Sequence, residues 1–227
     1  MSKEIMKVDR LRYLNELGTG LHKKWIFSSR LNYDLCHDYL QKMNYSIQDF
    51  NIEIDSKEEL NTKTVIYLIL LTTWIMEACE QIQKTVKPFV KKGFHYNGEE
   101  DLKNASAYLR ALRSFVVAHP LTTDRHSKFW LDGNYSCVDI RVGMGIVQRM
   151  IKQPLHIFDM DGIKVVQMTD CCDYYLLVYS EKEGAQYLQY FGCNISDIVK
   201  TASLCIDKIY TLEKYLRRLK KKDFEEN

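Results

Sequence analysis

The sequence predicts a mainly α protein of the α+β class: a helical bundle with a small antiparallel β-sheet insertion before its C-terminal helix. Three observations lead there. Residues 65–76 form an apolar run inside a much longer segment with an acidic start. Leu102, Ala105, Leu109, Leu112 and Val116 recur at alternating gaps of three and four, the period of one helix face. Between residues 138 and 192 the apolar positions fall instead into short β-branched or aromatic runs, divided by turn signals at Asp161, Gly162 and at Glu183, Gly184. The helices flank the strand block, so one domain spanning 1–227 is expected, with a helical core at about 3–120 and 194–222 and a β insertion at about 138–192.

Taken in order, residues 3–17 and 20–43 read as two helices broken at Gly18 and Gly20. Residues 44–55 are polar, and alternating Phe50, Ile52 and Ile54 point to a loop or edge strand. Asp55 or Ser56 is the expected N-cap of a long helix with acidic residues in its first turn, ended or kinked at Pro88. Because residues 65–76 are apolar on nearly all sides, that helix is expected to be the central post of the bundle. Gly93 to Gly98 is a turn, and residues 101–118 form the next helix. Asn194 or Ser196 caps a last helix whose face is Ile198, Ala202, Cys205, Ile209, Leu212 and Leu216.

Composition sets bounds on function. A net charge of +2 names no partner, and 46% hydrophobic with 27% charged residues is globular. Residues 1–10 are charged, and the apolar run at 65–76 falls short of the roughly twenty residues a bilayer span needs, so no membrane partner is expected. Seven cysteines, an odd number without a Cys-x-x-Cys pair, point to core thiols in a reducing cytoplasm. No histidine stands at zinc spacing from cysteine or carboxylate, so neither metal nor cofactor is expected.

The chemistry concentrates where the 101–118 helix runs into Pro120. Arg113 supplies a permanent cation and His119 a group that titrates near neutrality, the pair needed to cleave a phosphodiester without metal. Arg30 with His37 and Arg149 with His156 have similar spacing, but apolar Leu31 or Met150 follows the arginine. Only Arg113 precedes a polar residue, Ser114, late in a well-patterned helix. At about 100° per residue, Arg113 lies roughly 60° to one side of the packing stripe, and His119 would lie roughly 60° to the other if the helix ran on. The residue before proline is driven out of the helical region, so His119 is expected to project from a frayed end beside free carbonyls that favour imidazolium.

Arginine followed by four to six residues, the first of them polar, and then histidine resembles the motif of the HEPN superfamily, small helical ribonucleases that dimerise to build their site. The resemblance covers about residues 56–120. It implies that Arg113 binds phosphate and steadies developing charge, Ser114 orients a phosphate oxygen and His119 moves protons. It further implies RNA as substrate, a homodimer, and a bacterial toxin or defence role with an antitoxin or other regulatory partner.

Further nucleic-acid contacts are assigned to Arg110, Arg125, His126, Arg217, Arg218, Lys220, Lys221 and Lys222, the last five in a run of cations that also suits a helix C-terminus. Two competing readings stand beside the nuclease. One is a noncatalytic binding protein using the β insertion or the basic last helix. The other is a metal-dependent enzyme built on Asp159 and Asp161, residues better explained as a hairpin turn. Arg113 has its own plain alternative: an ion pair with Glu77 or Glu80 on the preceding helix.

Overall fold

The computed structural model describes residues 9–56, 60–118, 134–142, 155–166, 172–182 and 185–224. Its described α-helices are α1 (Arg30–Asp55), α2 (Thr62–Thr85), α3 (Pro88–Gly93), α4 (Glu99–Arg113) and α5 (Ile195–Arg218). Between α4 and α5 lie strands β1 (Asn134–Val142), β2 (Leu155–Asp159), β3 (Gly162–Val166), β4 (Tyr174–Lys182) and β5 (Ala185–Cys193). The architecture is mainly α with a five-stranded sheet before the last helix, as the periodicities predict.

The N-terminal reading fails in detail. Residues 9–29 contain only two 3₁₀ turns, Leu14–Glu16 and Lys24–Ile26, where helices were expected. Tertiary hydrogen bonds replace helical ones: the buried Asn51 side chain accepts from Leu11 N–H at 2.7 Å and donates to Leu11 O at 2.9 Å, and Asn44 accepts from Leu14 N–H. Leu11, Leu14, Leu21, Ile26 and Phe27 are thereby buried without forming a helix face. Helix α1, capped by the Ser29 side chain on Asn32 N–H, runs on through residues 44–55, which were expected to be a loop or strand. Its buried Cys36, Met43, Ile47 and Phe50 keep helical spacing, while Ile52 is exposed; the apparent alternation was two faces of a helix.

Helix α2 begins later than expected. Asn61, not Asp55 or Ser56, caps it by accepting from Thr64 N–H at 3.0 Å, and Ser56 instead closes α1. It packs against α1, α4 and α5, with Val65, Leu68, Ile69, Ile75 and Ile82 fully buried, and so is the central post. By length and composition Thr62–Thr85 resembles a membrane span, yet its most apolar window is 61% buried inside the bundle, the setting of a core helix. Chain direction then breaks at Val86, with Pro88 opening α3.

In the sheet, the order is β1-β4-β5-β2-β3. The sequence predicts antiparallel pairing throughout; three of the four pairings are antiparallel, but β2 runs parallel to β5, with His156 opposite Phe191 and Ile157 opposite Gly192. Hairpin signals are local and identify β2–β3 and β4–β5, whereas the β2–β5 contact joins strands distant in sequence and leaves no local mark. Gly162 closes the β2–β3 hairpin at φ 123°. Gly192 is required by packing, since a Cβ there would lie 2.2 Å from Cys172 Sγ.

Val138, Ile140, Phe158, Leu176 and Phe191 join the inner sheet face to the same core as the bundle. Phe158 is the keystone, with ring centroids 5.0 Å from Tyr108 within α4 and 5.9 Å from Phe115 on the turn leaving it. The tyrosines divide between faces: Tyr174 joins the bundle core, Tyr175 and Tyr190 pack in a smaller outer cluster, and Tyr179 is exposed. Cys36, Cys79, Cys172, Cys193 and Cys205 are buried thiols, in keeping with their use as core residues.

Helix α5 closes the bundle. All six positions of its predicted face are buried. Asn194 is the N-cap residue but its side chain makes no cap bond; Asp173 takes the Ile195 N–H at 2.7 Å. The α-helix stops at Arg218, short of the expected residue 222, and Lys221–Phe224 forms a 3₁₀ turn.

Candidate active site

Arg113 is the last α-helical residue of α4. Its guanidinium is 39% exposed and donates to Glu77 Oε1 on α2 at 2.7 Å. One turn earlier Arg110 pairs with Glu80, so the antiparallel helices are joined by two rungs along one exposed edge. Glu77, the acid that interrupts the apolar helix, thus has its explanation as a pairing residue. Pairs this exposed stabilise by about 0–1 kcal/mol and exchange readily for another anion.

Beyond Arg113 the backbone changes register. Residues Ser114–Ala118 form a π-helical turn, and Ser114 N–H reaches both Ala111 O and Arg110 O. Such turns act as single-residue insertions and recur at functional sites. The extra residue shifts the helix phase, so the angular estimate made for His119 does not carry across the turn. Ser114 itself is only 6% exposed, and a contact from its hydroxyl to a bound phosphate requires the turn to open. His119, Arg125 and His126 lie outside the described residues.

The rival arginine–histidine pairs differ. Arg30 is 93% exposed and leans toward Asp34 at 3.6 Å, while His37 stacks on His22 with centroids 4.9 Å apart and meets Tyr33 edge-on. Burial, then the neighbouring His22, lowers the His37 pKa, and its Nε2 is buried without a hydrogen-bond partner among the described residues. His156 packs on Phe191, and Arg149 lies outside the described residues.

The basic C-terminal group is exposed: Arg217, Arg218, Lys220, Lys221 and Lys222 all face solvent, with Glu213 the acid 3.5 Å from Arg217. Lys23, from the weaker basic stretch near the N-terminus, is committed to structure. Its Nζ donates to the carbonyls of Leu216, Arg217 and Leu219 at 2.7–2.9 Å, satisfying the end of α5.

Asp159 and Asp161 each accept from Lys164 Nζ at 2.9 Å, and Asp159 Oδ1 accepts from Asp161 N–H, the arrangement of a hairpin turn. Among the described residues no three metal-ligating side chains gather. Nearby Asp197 is pushed up to about 6, by burial first and then by Asp159, with Lys200 and Lys164 opposing. A raised carboxyl pKa means that the folded state holds the proton more tightly. Asp197 therefore opposes folding increasingly as pH climbs from its unfolded value to about 6, and the penalty levels off above that. Asp197→Asn is expected to gain stability over wild type between pH 4 and pH 7, by at most about 1–2 kcal/mol after allowing for solvent screening. Urea titrations at the two pH values check it; an equal difference at both refutes it.

Comparison with protein-family models, curated proteins and solved structures returns no match for this chain.

Proposed function

We propose that the protein is a metal-independent endoribonuclease of the HEPN type, working in the cytoplasm as a homodimer and serving as a bacterial toxin or defence effector under an antitoxin or other regulatory partner. The observation that carries this reading is the placement of Arg113: an exposed guanidinium at the last α-turn, held by a surface carboxylate, immediately before a π-helical turn leading toward His119. In the reaction, the ribose 2′-oxygen forms a bond to the adjacent phosphorus and the bond to the 5′-oxygen breaks, leaving a cyclic phosphate and a 5′-hydroxyl. His119 transfers the protons and Arg113 stabilises the charge gathering on the phosphate oxygens. DNA, without the 2′-hydroxyl, is not cut.

The test is incubation of wild type, Arg113→Ala and His119→Ala with labelled RNA in EDTA, with solution mass measured alongside. Loss of cleavage in both variants at unchanged melting temperature supports the reading, and equal activity in all three ends it.

A second reading, a noncatalytic nucleic-acid-binding or protein-interaction module, is favoured by the exposed cations at the end of α5. It predicts that neutralising Lys220, Lys221 and Lys222 weakens RNA binding and reduces the slope of log affinity against log salt by about 2–3, while His119→Ala binds like wild type. Filter binding across a salt series decides this; an unchanged slope removes these lysines from the interface.

A further inference from the structure

α2, α3, α5, the first turn of α4 and the segment joining α3 to α4 line a half-open cavity of about 500 Å³. That volume falls within the range of small-molecule sites. Its apolar lining is Val86, Phe94, Tyr96 and Leu212, two of them aromatic. Glu80, Lys84, Lys91, Glu99 and Lys208 also line it, and their charges do not balance. Glu80 is committed to Arg110 outside the cavity, and Glu99 to Lys208. No carboxylate among the described residues pairs with Lys84 or Lys91, whose single link is Lys91 Nζ donating to Lys84 O at 2.7 Å.

Lys208 is the deepest of these cations. Its side chain is 8% exposed, its Nζ lies 2.8 Å from both Glu99 oxygens, and the Tyr96 ring centroid is 5.9 Å away. Glu99 itself is 61% exposed, so a desolvated ammonium is answered by a carboxylate still largely in water. Burying a cation this way is costly unless anionic partners gather around it. An entering anion would join Glu99 at Lys208 as a second partner and meet the Lys84 and Lys91 ammoniums as well.

We infer that this cavity binds a small anion with a planar apolar body, its phosphate or carboxylate head on Lys208, Lys84 and Lys91 and its ring against Phe94 and Tyr96. The inference is independent of the nuclease reading, since the cavity uses neither Arg113 nor the π-helical turn.

Calorimetry on the full chain tests it with four probes: phenyl phosphate and benzoate carry head and ring, inorganic phosphate the head alone, benzyl alcohol the ring alone. At least one of the first two is expected to bind at least about tenfold more tightly than either half-probe, and the stronger of the two identifies the head group. The double variant Lys84→Ala, Lys91→Ala, altered only at exposed positions, is expected to lose about tenfold in affinity at unchanged melting temperature. Phe94→Leu is expected to erase the advantage of the ring-bearing probe over inorganic phosphate. Lys208→Met serves as a third variant where circular dichroism shows it folded. Absence of heat with all probes at millimolar concentration overturns the inference. So do equal affinities for phenyl phosphate, benzoate and inorganic phosphate, or binding that the lysine pair does not affect.

Discussion

Replacing Glu213 by alanine is expected to lower stability by about 3 kcal/mol, a large part of what a domain of this size possesses. Glu213 is 1% exposed, and its oxygens accept from Gly20 N–H at 2.6 Å and Leu21 N–H at 2.7 Å, with Arg217 at 3.5 Å. Alanine leaves two buried backbone donors without an acceptor, which costs more than the bonds themselves contribute. Glutamine keeps one oxygen but turns an amide donor toward a backbone donor, so an intermediate loss is expected. Gly20 is the complementary half of this joint. A Cβ there would lie 2.6 Å from the Glu213 carbonyl oxygen and 2.9 Å from Arg217 N, backbone atoms that cannot step aside. Gly20→Ala is expected to destabilise by a similar route, and the double variant to lose less than the sum, because both changes release the same segment from α5. Urea midpoints of the four proteins check this; additive losses, or a Glu213→Ala midpoint equal to wild type, refute the joint.

The same joint shows why the first thirty residues mislead when read alone. Leu11, Leu14 and Leu21 have spacing a helix would accept, but their backbone groups bond to Asn51, Asn44 and Glu213, partners up to 192 positions away. No local pattern records such a partner. Where burial is one-sided and the period long, the reading succeeds: the α5 stripe from Ile198 to Leu216 is buried at every predicted position. The plain alternative for Arg113 is likewise visible in sequence, since an acid within an otherwise apolar helix needs a cation, and Glu77 finds one. The π-helical turn is not visible, because no local period marks a one-residue insertion in a helix, and the contact its Phe115 makes is with Phe158, on a strand some forty residues on. The cavity beside Lys208 is hidden for a related reason: its walls come from segments that no single period relates.

Arg113→Ala is expected to lower the rate of RNA cleavage by about 10²–10³-fold, the usual cost of removing one preformed charge stabiliser from a phosphoryl site. Arg113→Lys restores a cation but not the planar two-pronged donor, and is expected to recover only part of that loss. Glu77 makes the test specific to this molecule. In the free protein Arg113 donates to Glu77, so a phosphate must displace that carboxylate before it can bind. The pair is exposed on both sides, at 39% and 50%, so its removal costs the fold less than about 1 kcal/mol. Glu77→Gln is therefore expected to leave the melting temperature nearly unchanged while tightening RNA binding by a few-fold, with the gain appearing in KM rather than kcat. If Arg113 serves only to tie α4 to α2, Glu77→Gln leaves cleavage unaltered, and Arg113→Ala acts on stability alone. Single-turnover rates and thermal melts of the same four preparations separate these outcomes.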